Sequence, residues 1–180
     1  MKNAGVPSSE HAIHFCLALG IQAAYRLQPG AIVFERAMGA GRIDLWIRPW
    51  DLAVEVKFRR PIPSGKNLPT TQLLGDFLAD FNKVARCSAV NGMVVLVTDA
   101  PGIASLQRSQ HHLLPLASPG SATTILPRDI EKLPKTAAMH AVHDGPWVSL
   151  IARLIWAQTV ELWHLAAWEV LRMQDSVMTK

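Results

Sequence analysis

Cysteine is close to absent from this chain. Cys16 and Cys87 are the only two among 180 residues, which leaves no disulfide framework and no thiol-rich metal cluster to hold a fold together. Both lie in apolar helical patterns and read as small core residues in a reducing, cytoplasmic setting. Charge is scarce too: 18% of residues are Asp, Glu, Lys or Arg, and the net charge is +4. That surplus suits a polyanionic partner but is too small to name one. The N-terminal MKNAGVPSSEH lacks the apolar run of a secretory signal. No internal repeat, low-complexity tract or linker divides the sequence. A chain of this length that is 49% hydrophobic predicts one domain, residues 1–180, with a proper core.

No membrane span is expected. Residues 147–172 are rich in Trp, Leu and Ala, but Arg153, Gln158, Glu161, His164, Glu169 and Arg172 interrupt them. On a wheel of about 100° per residue these six share one arc, and Ile155, Trp156, Val160, Leu162, Trp163 and Val170 lie opposite. The pattern predicts an amphipathic C-terminal helix, about 147–175, whose apolar stripe lies on a core or on a second copy of the chain.

The other elements follow from periodicity and punctuation. Ser8-Ser9 offers an N-cap for a helix running to about Leu27, with its stripe at Ile13, Cys16, Leu17, Ile21 and Ala24. AIVFER (31–36) reads as a short strand. Thr70 or Thr71 caps a helix to about Cys87, with Leu73, Leu74, Phe77, Leu78, Phe81 and Val84 inward. Gln72, Asp76, Asp80 and Lys83 fall outward, and Asp80 with Lys83 reads as a surface ion pair. GMVVLVTDA (92–100) is a continuous apolar run, hence a buried strand. Signals weaken over 101–146, where a helix near 103–112 and a strand near 122–126 are expected. No cysteine or acidic residue joins His111-His112 or His140…His143 in a recognisable zinc pattern, and they read as loop histidines.

The most informative stretch is GRIDLWIRPWDLAVEVKFRR, Gly41 to Arg60. Arg42, Asp44, Trp46 and Arg48 alternate with Ile43, Leu45 and Ile47. After Pro49-Trp50, Ala53, Glu55 and Lys57 alternate with Leu52, Val54, Val56 and Phe58. Period-two alternation on both sides of a proline turn predicts a hairpin. The register that keeps each apolar face intact sets Asp44 against Glu55 and Arg42 against Lys57. Opposed residues have Cβ atoms roughly 4.5–5.5 Å apart, where two like charges destabilise the pair. A divalent cation between them reverses that sign, and Mg²⁺ or Mn²⁺ takes such carboxylates. Trp46, on the same face, packs at the core or stacks on a base.

Asp44, ten residues, then Glu55-Val56-Lys57 resembles the D…ExK signature of the PD-(D/E)XK nuclease superfamily. Ile43 stands where the name-giving proline would be. The resemblance covers about residues 8–100. It implies an α/β fold with a restriction-endonuclease-like core, a mixed sheet with an antiparallel three-strand meander flanked by helices in the order α-β-β-β-α-β. It implies metal-dependent hydrolysis of DNA, most simply by an endonuclease. Asp44, Glu55 and the Val56 carbonyl would hold Mg²⁺ or Mn²⁺, and Lys57 would orient the attacking water and stabilise the transition state. Glu35 on the preceding strand is placed slightly ahead of Glu10, in the first helical turn, as the completing acid. Gln72 opens the helix where such nucleases often set a polar residue near the scissile phosphate. Arg42, Arg59, Arg60 and Lys66, the last three in the proline-rich loop 59–70, are candidate phosphate-backbone contacts. Duplex cleavage in this fold usually pairs two protomers, and the C-terminal helix is the expected dimer surface. Two other classes stay open: a catalytically silent nuclease-fold module that binds nucleic acid or a partner, and a structural subunit docked through that helix.

Overall fold

Helical periodicity is strongest over residues 70–86, and there the chain forms a helix with Leu73, Leu74, Phe77, Leu78, Phe81 and Val84 all buried. A computed structural model describes residues 10–39, 41–59, 70–109, 113–116 and 118–173. In chain order the elements are α1 (Glu10–Ala24), β1 (Ile32–Met38), β2 (Gly41–Ile47), β3 (Leu52–Phe58), α2 (Thr70–Arg86), β4 (Asn91–Asp99), α3 (Ala100–Ser109), β5 (Ala122–Ile125), α4 (Pro127–Glu131), α5 (Lys135–Ala141), β6 (Leu150–Val160) and β7 (Trp163–Arg172). The fold is α/β, and its first six elements follow the expected order.

Seven strands make one mixed sheet in the order β1-β2-β3-β4-β7-β6-β5. β1, β2 and β3 form the antiparallel meander, and α2 carries the chain over to β4, which runs parallel to β3. β4 then pairs antiparallel with β7, and β6 and β5 complete the sheet. β4 is buried on both faces, as its unbroken apolar run requires. Val94 and Leu96 join the larger core under α2, and Val95 and Val97 the smaller one under α1.

At the centre of the larger core lies Trp168, fully buried and in edge contact with both Phe77 and Phe81. Its indole N–H donates to the Pro115 carbonyl at 2.8 Å. Trp168→Ala therefore loses packing, two aromatic contacts and a hydrogen bond. It should lower the unfolding free energy by about 3–5 kcal/mol in a urea titration.

The expected C-terminal helix does not exist. Residues 150–172 are the β6–β7 hairpin, joined by Glu161 and Leu162, with Glu161 in the left-handed region at φ 53°. No Gly, Asn or Pro marks that turn in the sequence, so the usual hairpin signal is missing. A bulge between Leu154 and Trp156 breaks the alternation as well. Leu150, Ala152 and Leu154 face the α2 core, whereas Trp156 and Val160 line an apolar cavity beside α1. A strand that changes face midway loses its period of two and imitates a helical wheel. Of the apolar residues assigned to that helix, Ile155, Trp156, Val160 and Leu162 are exposed on the hairpin. Cys16 is another correction: it is exposed on α1, whose buried residues are Ile13, His14 and Ala18. Cys87 is half-buried against the larger core. No helix among the described residues is long and apolar enough to cross a membrane.

Candidate active site

The hairpin has the register its alternation predicts: Leu45 pairs with Val54, Trp46 with Ala53 and Ile47 with Leu52. Beyond Leu45 and Val54 the ladder stops and the two strands part. The Asp44 N–H donates to Glu55 Oε1 at 3.1 Å, and the Val56 N–H donates to Asp44 Oδ2 at 2.8 Å. The two carboxylates thus replace carbonyl acceptors in the gap, each held by the backbone of the opposite strand. On the other side Glu35, at φ 47°, interrupts the β1–β2 ladder opposite Asp44. The alternation also changes face here: Ile43 lies in the α2 core, and Leu45 and Ile47 lie in the α1 core. Asp44 sits at a break in the sheet rather than in a regular strand.

Around this break opens a cleft of about 310 Å³, lined by Glu10, Asp44, Glu55, Val56, Lys57, Asp76, Asp80, Lys83, His143 and Asp144. Asp44, Glu55, Val56 and Lys57 are brought together there as the signature implies. Of the two candidate completing acids, Glu10 reaches the cleft, its Oε1 accepting the Phe58 N–H at 3.1 Å. Glu35 does not: it is exposed and paired with Arg42 at 3.5 Å and His11 at 3.4 Å. A left-handed kink at Glu35 turns its side chain away from the β2–β3 break. Arg42 is correspondingly exposed beside Glu35. Gln72, half-buried in the first turn of α2, is not among the lining residues. Arg59 is half-buried, with its backbone N–H donating to the Val97 carbonyl at 2.9 Å. Arg60 and Lys66 lie outside the described residues.

Other lining residues escaped the sequence pattern. Asp80 is buried and Lys83 mostly so, and they do not form a surface pair with each other. Lys57 Nζ is 3.0 Å from Asp80 Oδ2, and Lys83 Nζ is 2.7 Å from Glu55 Oε2. Their spacing on α2 is visible in sequence, but the polar stripe of an amphipathic helix reads as solvated. Only the β2–β3 break explains why this one is covered. His140 and His143 are not free loop residues either. His140 Nδ1 is 2.7 Å from Asp76 Oδ1, and His143 lines the cleft. Asn82, fully buried on α2, holds that wall. Its Nδ2 donates to the carbonyls of Gly145 and Pro146, and its Oδ1 accepts the Val148 N–H. His14, one turn after Glu10, is buried with Nε2 unbonded and 3.6 Å from Asp44 Oδ2.

Among the described residues six carboxylates face two lysines in this cleft, and the electrostatics record the imbalance. Burial, and then the Asp44 charge, push Glu55 up to about 8, with Lys83 opposing. Burial pushes Asp80 up to about 6 against the pull of Lys57. Burial works to lower both lysines, but their acidic neighbours outweigh it and raise them. Among the described residues no three His, Cys, Asp or Glu side chains form a ready-made metal cluster. Mg²⁺ needs none, since it keeps several waters and binds through one or two carboxylates. The pair of half-buried Asp44 and buried Glu55, crowded and pinned at one oxygen each, fits such an ion. Trp46 is spent on packing, its indole N–H on Asp51 and its ring under the Arg36 guanidinium at 3.6 Å. Comparison of the chain with family models, curated proteins and solved structures gives no match.

Proposed function

We propose that this chain is a metal-dependent nuclease hydrolysing phosphodiester bonds in DNA, most simply an endonuclease with a restriction-endonuclease-like core. One observation carries the reading: at the parting of β2 and β3, Asp44 and Glu55 are held side by side by each other's strand. Two acids in mutual repulsion, one buried and one half-buried, cost stability and are explained by a cation that joins them. The order α-β-β-β-α-β, with the acids on the second and third strands, supports the same reading.

A divalent ion on Asp44 and Glu55, with the Val56 carbonyl beside them, would supply Lewis-acid charge for the phosphate and its water. The chain does the rest. Backbone N–H groups fix one oxygen of each carboxylate, so the free oxygens keep their direction without an ordering cost on binding. Lys57, held by Asp80, offers a placed ammonium to the non-bridging oxygens, where charge builds in the transition state. Glu10 ties the β3 end that carries Lys57 to the first turn of α1.

Incubation of purified protein with supercoiled plasmid should produce nicked circles in Mg²⁺ or Mn²⁺ and none in chelator. Intact plasmid under every divalent ion tried, with the protein folded by circular dichroism, would rule the activity out.

A further inference from the structure

Glu55 has two carboxylate oxygens with different partners. Oε1 accepts the Asp44 N–H, and Oε2 is 2.7 Å from Lys83 Nζ. The amine of the sequence signature, Lys57, is turned toward Asp80 instead. The oxygen that backbone bonding leaves free for a cation is therefore occupied by an ammonium from α2. Lys83 is 17% exposed at the cleft edge. It hangs on a flexible four-carbon stem, so its charge can move without any backbone change.

We propose that Lys83 is a tethered counter-cation: it neutralises the carboxylate pair before the metal binds, yields Glu55 Oε2 to the incoming divalent ion, and then offers its freed ammonium to the substrate phosphate. An ammonium and a dication repel each other at one oxygen, so arrival of the ion displaces the lysine. The cleft thus gains a mobile positive charge at the moment a polyanion is to be bound. Lys83 is in this sense a substrate-binding group that metal binding uncovers. This inference rests on the metal-dependent reading of the same cleft.

Titration calorimetry of the full chain with MnCl₂ at pH 9, where Glu55 is ionised, tests it. Lys83→Gln should bind Mn²⁺ about tenfold more tightly than wild type, since an opposing unit charge at contact distance is worth at least that. Its KM for plasmid DNA should rise at the same time. Lys83→Arg keeps the charge and should show no tightening, and Lys132→Gln, on an exposed lysine paired with Asp129, should match wild type. A merely structural lysine predicts unchanged or weaker Mn²⁺ binding in Lys83→Gln, and that result overturns the proposal. If Lys83→Gln does not fold, wild type decides. In ¹³C-lysine-labelled protein, Mg²⁺ should shift the ε-methylene resonance of Lys83 and leave that of Lys132 in place, and an unmoved Lys83 signal also overturns it. Wild type that takes up neither ion brings down the nuclease reading itself. Uptake by wild type without tightening in Lys83→Gln brings down the role of Lys83 alone.

Discussion

Asp44→Ala is expected to lower the metal-dependent cleavage rate by about 10³-fold or more, the equivalent of the several kcal/mol that a Lewis-acid ion supplies. The loss should come without unfolding. The substitution leaves the Val56 N–H without its acceptor at 2.8 Å, which costs about 1–3 kcal/mol. It also removes the charge that, after burial, does most to raise Glu55, and this offsets part of that cost. Single-turnover nicking and urea unfolding on the same preparation separate the two effects. Glu35→Ala is the internal comparison. Glu35 is exposed and its partners Arg42 and His11 are more so, so its ion pairs are worth about 0–1 kcal/mol. Cleavage by that variant should stay within about twofold of wild type, because a group outside the cleft touches no reacting atom. Substantial cutting by Asp44→Ala would remove the carboxylate pair from the mechanism.

The second large effect is a dependence of stability on pH that runs opposite to the common one. Glu55 titrates at about 8 in the folded chain against an ordinary value of 4.5. Between those values the folded protein holds a proton that the unfolded chain has released. Stability must therefore fall as pH rises through this window. Asp80, at about 6 against 3.8, adds to the fall at the lower end. The raised lysines act only above their ordinary value of 10.5 and leave the window untouched. At about 1.4 kcal/mol for each tenfold change in proton affinity, Glu55 accounts for a few kcal/mol between pH 5 and pH 8. Urea unfolding in chelator at pH 5, 6.5 and 8 should show that slope in wild type and lose most of it in Glu55→Gln. Millimolar Mg²⁺ should stabilise the protein more at pH 8 than at pH 5, because only the ionised carboxylate binds it. Equal slopes for wild type and Glu55→Gln would mean that Glu55 ionises normally.

How much of the fold was legible in the sequence differs from element to element. α2 was readable because six large apolar side chains at helical spacing leave one solution. β4 was readable because the unbroken apolar run 93–97 is too short for a buried helix. The hairpin register was readable because a one-residue slip would turn each strand inside out. β6 and β7 were not. Their turn uses Glu161 and Leu162, and the bulge beside Ile155 moves the apolar face from one side of the sheet to the other. In β7, Ala166, Ala167 and Trp168 are buried in succession, which removes the alternation there as well.

The candidate site divides in the same way. By itself the sequence determined the β2–β3 hairpin, the register that brings Asp44 beside Glu55, and the helix after it, since each follows from periods of two or 3.6 within one short segment. Only the tertiary structure decided that Glu10 and not Glu35 reaches the cleft, that Asp80 is buried, and that Lys57 and Lys83 go to different acids. Those outcomes depend on how α1 and α2 lie across the sheet, and no local periodicity encodes the distance between side chains on separate elements. The same holds for His14 and for the wall clamped by Asn82: their neighbours come from remote parts of the chain, and packing alone chooses them.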